Sequence, residues 1–455
     1  MYTIKSEHMK VVEYRSDTAK KPIAPWKWLQ ERERGTTDRA DRGREQDDFV
    51  SKLYSVMSPV KRIGSPLCTA VEEHGSIFNL EFSPDGSYLV AACEKKSVKI
   101  CDPLSSEHIT TINDAHDNCV NFVRFLDTRL FATCSDDKTV ALWDIRNLKR
   151  KIRSLRGHHS WVKNIEYSPD SNLLVTSGFD GNILSWDINK YQENCYQYKR
   201  LFHMDGLMRS RLTPGSEKLI VSNTAGFIVI VHDLDLSTLD VDLRGFDPVE
   251  YYQLMVHDKT EQLTDYCNEH ADFFTSEKNR VEIVTEFPER IQVFCISSLQ
   301  IHPQGWCLLS RSTSETEERE YACIHDLQNK SSTPTEESDS EDTRPECVKF
   351  TSQPNRLTHY IEESSDGRGY IKELCFSPDG RIICSPYGYG VRLLAFNRKC
   401  QELCDCHPHS PKELYELKTI ICHRRTVLTC KFSPVHNLLA TGCQGGRIVI
   451  HQPTL

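Results

Sequence analysis

The chain has 455 residues, 27% of them charged, and a formal net charge of -9. This acidic balance argues against a nucleic-acid-binding surface, which needs an excess of lysine and arginine. No apolar run approaches the roughly 18 residues of a membrane-spanning helix, and the first residues lack the apolar core of a signal peptide. The 19 cysteines therefore indicate reduced thiols in a soluble intracellular protein rather than a disulfide framework.

The first 57 residues differ in pattern from the rest of the chain. Residues 1–25 are polar, which predicts a disordered terminus. Residues 26–34 follow a proline and precede a glycine, and residues 47–57 repeat apolar side chains at helical spacing, so both stretches predict short helices. The charged residues 36–46 predict a solvated linker between them.

Two interpretations of this helix-loop-helix arm, residues 26–57, are open. Both helices could pack on the neighbouring domain, or the arm could enter a groove of another protein. The first helix has only nine residues, too few to be stable alone in water, and it carries Trp26 and Trp28. Because tryptophan is enriched at binding hot spots, this composition favours the second interpretation.

A repeated unit occupies the chain from residue 74 onward. Each copy begins with alternating polar and apolar residues that end in Ser-Pro-Asp-Gly or a decayed form, followed by two further strand patterns. Proline fixes φ and glycine permits positive φ, so this tetrapeptide predicts a tight turn between strands. Seven copies begin at Ile77, Val120, Val162, Met208, Ile296, Ile371 and Val427. The first four recur at about the period of a four-stranded blade, which predicts an all-β, seven-bladed WD-repeat β-propeller over residues 58–455.

Two insertions lengthen the later intervals. Residues 235–290 are acidic and irregular, and although they are long enough to hide an eighth blade, they do not match the template. Residues 328–347 contain a run of acidic and hydroxyl residues that predicts a disordered loop. The last copy ends after its third strand, at residues 448–453, so residues 59–73 are expected to supply the missing fourth strand and close the ring.

Two copies carry a histidine, an aspartate and a tryptophan at positions suited to hydrogen bonding inside a blade. These sets are His116, Asp137 and Trp143, and His158, Asp180 and Trp186. Lys95 and Gly445 replace the aspartate in the first and last copies, so the sets indicate blade architecture rather than a catalytic pair. No nucleophile, phosphate-binding or kinase motif is present, and no enzymatic activity is expected.

A dense patch of cysteine and histidine follows the sixth copy, at Cys400, Cys404, Cys406, His407 and His409. Such a patch could hold zinc, or it could be a surface loop with reduced thiols. A second half with matching spacing is missing from the sequence, so the loop is favoured and neither a metal nor a cofactor is expected.

The residue before each first strand is expected at one mouth of the central channel of the propeller. The mouth residues with basic or aromatic side chains are Trp161, Lys163, Arg209, Arg368, Tyr370 and Lys372, and Arg211 is expected close by. Basic and aromatic groups at one mouth would suit an acidic or phosphorylated peptide. Alternatively, Trp161 and Tyr370 pack against neighbouring blades.

The Phe-Ser-Pro-Asp-Gly copies, the ending Trp143-Asp144-Ile145-Arg146 and the arm together resemble the WD-repeat substrate receptors of cullin-4 RING ubiquitin ligases. Residues 121–146 and 357–380 carry much of this resemblance. It implies a receptor that docks on the damaged-DNA-binding protein 1 adaptor, and through it on cullin-4 and a RING protein. The receptor would recruit an unknown protein substrate for ubiquitination. A general WD-repeat scaffold in another intracellular assembly is the alternative.

The resemblance also implies which residues would bind the adaptor. The Trp-Asp-x-Arg box of the family would be Trp143, Asp144 and Arg146. The contacts from the arm would be Trp26, Trp28, Leu29, Phe49, Leu53 and Tyr54. Family members often carry two boxes, whereas in the next copy Trp186-Asp187-Ile188 is followed by Asn189, so one box is expected here.

Overall fold

The computed structural model describes residues 39–63, 73–189, 198–256, 262, 265–266, 269, 278–287, 293–313, 319–328, 355–364 and 372–454. The predicted disordered terminus, the first arm helix and nearly all of the 328–347 loop lie outside these residues, as do Trp26, Trp28, Leu29, Arg368 and Tyr370. The chain divides into two compact units, Met1–Phe49 and Val50–Leu455. The second unit contains the β-sheets.

The described strands form seven sheets, which are the blades of the predicted seven-bladed β-propeller. Strand β1 (Met57–Ile63) belongs to blade 7. Blade 1 contains β2 (Ile77–Phe82), β3 (Leu89–Cys93), β4 (Val98–Asp102) and β5 (Glu107–Ile112); blade 2 contains β6 (Val120–Phe125), β7 (Leu130–Ser135), β8 (Thr139–Asp144) and β9 (Arg153–Arg156). Blade 3 contains β10 (Val162–Ser168), β11 (Leu173–Gly178), β12 (Asn182–Asp187) and β13 (Tyr198–His203); blade 4 contains β14 (Leu207–Leu212), β15 (Leu219–Asn223), β16 (Ile228–His232) and β17 (Arg280–Val284).

The remaining blades follow in chain order. Blade 5 contains β18 (Val293–Ile301), β19 (Trp306–Thr313), β20 (Arg319–Asp326), β21 (Leu357–Ser364) and a short parallel fifth strand, β25 (Lys412–Glu413). Blade 6 contains β22 (Cys375–Phe376), β23 (Ile382–Tyr387), β24 (Gly390–Ala395) and β26 (Tyr415–Ile421); blade 7 contains β27 (Val427–Phe432), β28 (Leu439–Cys443) and β29 (Ile448–Pro453) besides β1. The first strands of neighbouring blades contact one another, so they line the central channel.

The Ser-Pro-Asp-Gly turns form as predicted. In blade 1 the Ser83 hydroxyl donates to Asp85 Oδ1 at 2.6 Å and accepts the backbone N–H of Tyr88 at 2.9 Å. Gly86 follows with φ +73°, a conformation that favours glycine. The polar side chains therefore stabilise the turn locally, independently of the rest of the ring.

Strand β1 closes the propeller. It pairs antiparallel with β29, from Met57 opposite Pro453 to Ile63 opposite Ile448. The closure predicted from the missing fourth strand is confirmed, with the strand beginning at Met57. Met57 is thus a buried strand residue and not the end of the second arm helix, as the apolar spacing had predicted.

Helix α1 (Arg39–Ser55) precedes this strand. It begins eight residues before the predicted second arm helix, so the prediction of a linker is wrong from Arg39 onward. These residues lack an apolar repeat, and only their high content of good helix formers could have indicated a helix.

The 235–290 insertion is part of blade 4 in its described residues. It contributes the outer strand β17 and two short helices, α2 (Leu239–Asp242) and α3 (Pro248–Val256). Most of its buried apolar side chains join those of blades 3 and 4 in one apolar cluster; they are Leu236, Leu239, Leu243, Phe246, Tyr251, Tyr266 and Ile283. The expectation of an irregular insertion is therefore wrong here, and the described strands contain no eighth blade.

Candidate partner-binding surfaces

Blade 2 contains a buried hydrogen-bond network. Asp137 Oδ2 lies 2.9 Å from His116 Nδ1, His116 Nε2 lies 2.8 Å from Thr133 Oγ1, and Trp143 Nε1 donates to the same oxygen at 2.9 Å. Because a carboxylate only accepts, His116 Nδ1 donates to Asp137 and Thr133 donates to His116 Nε2. Burial raises the pKa of Asp137, but the hydrogen bonds that it accepts, that of His116 first, outweigh burial and hold this pKa well below its usual range.

Blade 3 repeats this network. His158 Nδ1 lies 3.1 Å from Asp180, His158 Nε2 lies 2.8 Å from Thr176 Oγ1, and Trp186 Nε1 donates to Thr176 at 2.9 Å. The two His-Asp-Trp sets predicted from the sequence are thus assembled, each around a threonine. In both blades the histidine, threonine and tryptophan side chains form hydrogen bonds to one another in the interior of the blade.

Trp143 belongs to the interior of the blade. Its side chain is only 2% exposed and is fixed by the network. Trp143, predicted as an adaptor contact, is thus buried inside blade 2, and the other two residues of the predicted box, Asp144 and Arg146, follow it along the chain.

Asp144 orients Arg146 at the surface. Asp144 Oδ1 accepts the backbone N–H of Arg146 at 2.9 Å, and its carboxylate accepts the guanidinium through Nη2 at 2.6 Å and Nε at 3.0 Å. These hydrogen bonds lower the pKa of Asp144 to about 2. The Arg146 side chain remains 62% exposed, so the guanidinium is oriented and still open to a partner.

Strand register places the box and the channel mouth at opposite ends of the blades. Asp144 pairs with Leu130, directly after the turn that follows β6. Val162, next to Trp161, pairs with Gly178 at the far end of β11. Equivalent strands run in one direction around a propeller, so Arg146 lies on the face that carries the turns between first and second strands, here called the turn face. Trp161 lies on the opposite face, here called the mouth face.

The end of helix α1 packs on the turn face of blades 6 and 7. The Tyr54 hydroxyl donates to Asp379 Oδ1 at 3.2 Å, in the first turn of blade 6, and its ring meets Phe432 edge-on at 6.0 Å between centroids. Lys418 Nζ donates to the carbonyl of Ser55 at 2.8 Å, which satisfies the helix end. Tyr54 is therefore a buried intramolecular anchor, which corrects its assignment as an adaptor contact. Leu53, next to it, is half-buried, as is Phe49.

Trp161 and Phe179 form an exposed aromatic pair on the mouth face. They are 46% and 38% exposed, and their ring centroids are 6.0 Å apart. Lys163 Nζ lies 4.9 and 5.2 Å from the two centroids and is fixed by Asp136 at 2.9 Å and Asn121 at 3.1 Å. A cation over both rings holds them in place. Phe179 was missed because only the positions around the first strands were considered; its apolar character in a turn was the available signal.

Arg209 and Lys372 are not free cations at the mouth. Arg209, in blade 4, forms an ion pair with Glu373 of blade 6, which spans the inner edge of blade 5. Lys372 Nζ lies 3.0 Å from Glu320 Oε2. All four side chains are buried, so the predicted basic mouth is wrong for these two residues, whose charges are matched by buried carboxylates.

The Cys/His patch does not converge on one point. Cys400 is buried in the core, the Cys406 thiol donates to the carbonyl of Glu402 at 3.1 Å, and His407 Nε2 lies 3.4 Å from Asp326. Three other buried thiols lie within 4.8 Å of one another, namely Cys375, Cys384 and Cys430. A metal bound by three thiolates would bring net negative charge into the apolar cluster that surrounds them, so we interpret these thiols as core packing.

Comparison with known proteins agrees with this architecture. The profile of the WD domain, G-beta repeat, matches residues 64–102, 106–144, 149–187 and 414–452, which defines a WD-repeat β-propeller. The crystal structure of the Myceliophteria thermophila Cps50 (Swd1) propeller domain superposes with a TM-score of 0.55 at 12% identity, covering 88% of this chain and 100% of that chain. At this identity the likeness shows the fold alone.

Sequence comparison shows the family. The DDB1- and CUL4-associated factor 10 of Danio rerio is 46% identical over 91% of this chain and 80% of its own length. The protein of the same name from Xenopus laevis is 44% identical, covering 94% of both chains, and that from Homo sapiens is 43% identical, covering 94% of this chain and 77% of its own. The chain belongs to the DDB1- and CUL4-associated factor 10 family of WD-repeat receptors. None of the helices in the described residues is long and apolar enough to cross a membrane.

Proposed function

We propose that the chain is a substrate receptor of a cullin-4 RING ubiquitin ligase that docks on the damaged-DNA-binding protein 1 adaptor, and through it reaches cullin-4 and a RING protein. Arg146 carries the proposal. It is exposed and oriented by Asp144 at the end of a rigid strand, in a chain whose relatives are named for association with DDB1 and CUL4. An arginine held in one orientation loses little entropy on binding. The receptor contributes binding, and the chemistry of ubiquitin transfer belongs to the rest of the ligase.

The turn face is the proposed docking face. Arg146 lies there, and so do the last residues of α1, Val50–Ser55, which belong to the propeller unit. One partner on this face would meet Arg146 and the end of α1 together. The arm contacts that remain in the proposal are Trp26, Trp28, Leu29, Phe49 and Leu53.

The mouth face is the proposed substrate side. An adaptor on the turn face would leave it open, and it carries the aromatic pair with Lys163 fixed between the rings. Rigid, exposed aromatic side chains are good anchors for an apolar side chain of a bound peptide. This replaces the predicted recognition by free cations, because Arg209 and Lys372 are paired.

The docking proposal is tested with Arg146→Asn, which retains the backbone turn seen at Asn189 in blade 3. We expect binding to purified human damaged-DNA-binding protein 1, measured by biolayer interferometry, to weaken by about tenfold. Asn189→Ala is the matched control and should bind like the unchanged protein. Equal affinity of all three proteins would remove the box from the proposal.

The arm is tested by deleting residues 1–49. The deletion must stop before Tyr54 and Met57, because both are buried in the propeller unit. We expect an intact propeller with much weaker adaptor binding. If both the deletion and Arg146→Asn left binding at full strength, the arm and box would not be the docking elements. If the unchanged protein did not bind the adaptor, the general scaffold role would replace the receptor role.

A further inference from the structure

One position in each first strand forms a ring around the turn-face end of the channel. In blades 1 and 2 this position is one residue before the last pair between the first and second strands, where Glu81 faces Val90 and Arg124 faces Ala132. In blade 3, whose first strand is paired for one residue more, the equivalent residue is Glu166, opposite Val175. Around the seven blades it is occupied by Glu81, Arg124, Glu166, Arg211, Gln300, Cys375 and Lys431. Arg211, expected near the mouth, thus lies at the other end of its strand.

Five of these residues form an alternating series of charges, here called the charge ring. Lys431 Nζ lies 2.7 Å from Glu81, and Arg211 Nη1 lies 2.6 Å from Glu166. Arg124 lies between the two carboxylates. Three cations face two carboxylates, so the ring has a net charge of +1 in a chain whose formal net charge is -9.

Arg124 is the cation with spare hydrogen-bonding capacity. Its nearest N–O separations, 3.8 Å to Glu81 and 3.6 Å to Glu166, are longer than hydrogen bonds. The other cation of each carboxylate is closer: Arg211 Nη1 donates to Glu166 Oε1 at 2.6 Å, and Lys431 Nζ lies 2.7 Å from Glu81 Oε2. The Arg124 side chain is 31% exposed, and a guanidinium has five N–H donors in a fork that fits a carboxylate.

A cavity of about 330 Å³ opens in front of this guanidinium. Four charge-ring residues line it and are here called its floor: Arg124, Glu166, Arg211 and Lys431. The apolar and aromatic lining residues, here called its rim, are Phe125, Leu126, Tyr167, Pro169, Leu212, Pro214 and Ile301. The cavity is large enough for one amino-acid side chain, with a net positive floor and an apolar wall.

We propose that this cavity binds an acidic side chain of the adaptor, whose carboxylate meets Arg124 while neighbouring apolar residues contact the rim. The inference rests on the proposed function, since it adds a third contact for the partner that meets Arg146 and the arm. The carboxylate supplies the negative charge that the ring lacks, and it forms charge-assisted hydrogen bonds in a partly desolvated site.

The geometry of blade 2 allows one partner to reach both arginines. Arg124 pairs with Ala132, which pairs with Leu142, so Arg124 and Leu142 are about 10 Å apart across two strand spacings. Strand β8 continues for two residues beyond Leu142, about 7 Å toward the turn face, and Arg146 follows in the turn after Asp144. An interface that covers about 800 Å² on each partner has a radius of about 16 Å, enough to include both sites.

The test compares Arg124→Gln with Arg425→Gln in the full chain. Arg425 is exposed beside the start of β27, on the mouth face, so its substitution removes the same charge from the other side. Purified damaged-DNA-binding protein 1 is the probe, and a benzoylphenylalanine at Tyr167 reports contact at the cavity rim. We expect about tenfold weaker binding for Arg124→Gln, unchanged binding for Arg425→Gln, and a photo-crosslink from position 167 to the adaptor.

Arg124→Gln leaves Glu81 with Lys431 and Glu166 with Arg211, so its melting temperature should remain near that of the unchanged protein. If Arg146→Asn weakens binding while Arg124→Gln does not, the inference is overturned and the docking proposal stands. Equal weakening by Arg124→Gln and Arg425→Gln would indicate general electrostatics and also overturn it. Failure of the unchanged protein to bind the adaptor would overturn both.

Discussion

Blades 2 and 3 have the same buried hydrogen-bond network and differ at the exposed residue two positions after the aspartate that ends their third strand. Each has a histidine, an aspartate, a threonine and a tryptophan in one network, and each ends its third strand in an aspartate that accepts the backbone N–H two residues later. In blade 2 that later residue is Arg146, whose guanidinium the aspartate also binds, whereas in blade 3 it is Asn189. The shared network stabilises the two blades from inside, so the exposed arginine, which only blade 2 has at this position, is the better candidate for function.

Blade 7 extends the comparison because its network lacks the aspartate that blades 2 and 3 have. His423 Nε2 lies 2.9 Å from Thr441, as in blades 2 and 3, but Gly445 stands at the aspartate position and His451 replaces the tryptophan, 3.0 Å from the same threonine. Burial lowers the pKa of His423 to about 3 and that of His451 to about 4. In blade 7, which β1 closes, two neutral histidines therefore form hydrogen bonds with Thr441, and no carboxylate stands at position 445.

The largest effect is expected from removing the tryptophans. Trp143→Ala and Trp186→Ala each create a cavity and leave a threonine hydroxyl without its donor, so each should lower the free energy of unfolding by about 3–5 kcal/mol. Urea denaturation followed by circular dichroism measures both losses. A much smaller loss in one blade would show that the two networks are not equivalent.

Acid should weaken blade 7. Both histidines have folded-state pKa values below the unfolded value of about 6.5, so below that pH the unfolded state binds more protons and stability falls until the pH reaches the folded pKa values. From pH 7 to pH 5 the loss is about 2 kcal/mol for each histidine. Urea unfolding at the two pH values measures it.

Gly445→Asp tests the cause of this pH dependence, because it introduces the aspartate that blades 2 and 3 have at this position. The nearest atom to the added Cβ is Cγ of the flexible Arg425 side chain, at 3.1 Å, and Cys443 Sγ lies at an ordinary contact distance of 3.6 Å. The new carboxylate should raise the pKa of His423 and reduce the acid loss by about 2 kcal/mol, whereas Gly445→Asn, the uncharged control, should not. An identical pH dependence of both variants would contradict the role given to the missing aspartate.

A smaller loss of stability is expected from replacing the threonine at the centre of each network. Thr133→Val and Thr176→Val keep the shape of the side chain but leave the tryptophan N–H and a histidine nitrogen unpaired in the core. We expect a loss of about 1–3 kcal/mol in each variant, measured by thermal unfolding. The surface variant Thr110→Val, outside these networks, serves as the control and should change stability by no more than about 0.5 kcal/mol.

The smallest effect on stability is expected at the residue that distinguishes the two blades. Arg146 is exposed, so Arg146→Asn and the reverse change Asn189→Arg should each alter the free energy of unfolding by less than about 0.5 kcal/mol. Calorimetry of the two variants measures this. A large destabilisation by Arg146→Asn would show that the arginine stabilises the blade. It would then contradict the distinction between a buried network that stabilises and an exposed arginine that binds.

Local patterns predicted most of the propeller. The Ser-Pro-Asp-Gly turns, the alternation of the first strands and the spacing of the copies depend on neighbouring residues, so seven blades and the closing strand could be derived without coordinates. The start of α1 at Arg39 was not predicted, because its charged residues carry no apolar repeat. Strand β17 was missed for a related reason: it follows a long insertion that hides its place in blade 4.

The candidate surfaces were less predictable, because exposure depends on residues distant in the chain. Arg209 looked like a free cation in sequence, but Glu373, 164 residues away, neutralises it. Tyr54 looked like a contact for a partner, but it anchors on Asp379, 325 residues away. Side chains with local partners, such as Arg146 beside Asp144, were interpreted correctly as surface groups.

The sequence by itself determined the number of blades and the members of the two histidine networks. It also singled out Arg146 as the candidate contact for a partner, since all three follow from short-range spacing and from comparing one repeat with the next. Only the tertiary structure decided that Trp143 and Tyr54 are buried, that Phe179 joins Trp161, and that Arg124 is left with unused donors above a cavity. The physical reason is that closure of the ring brings charges from different blades together, and their pairing decides which of them remain available to a partner.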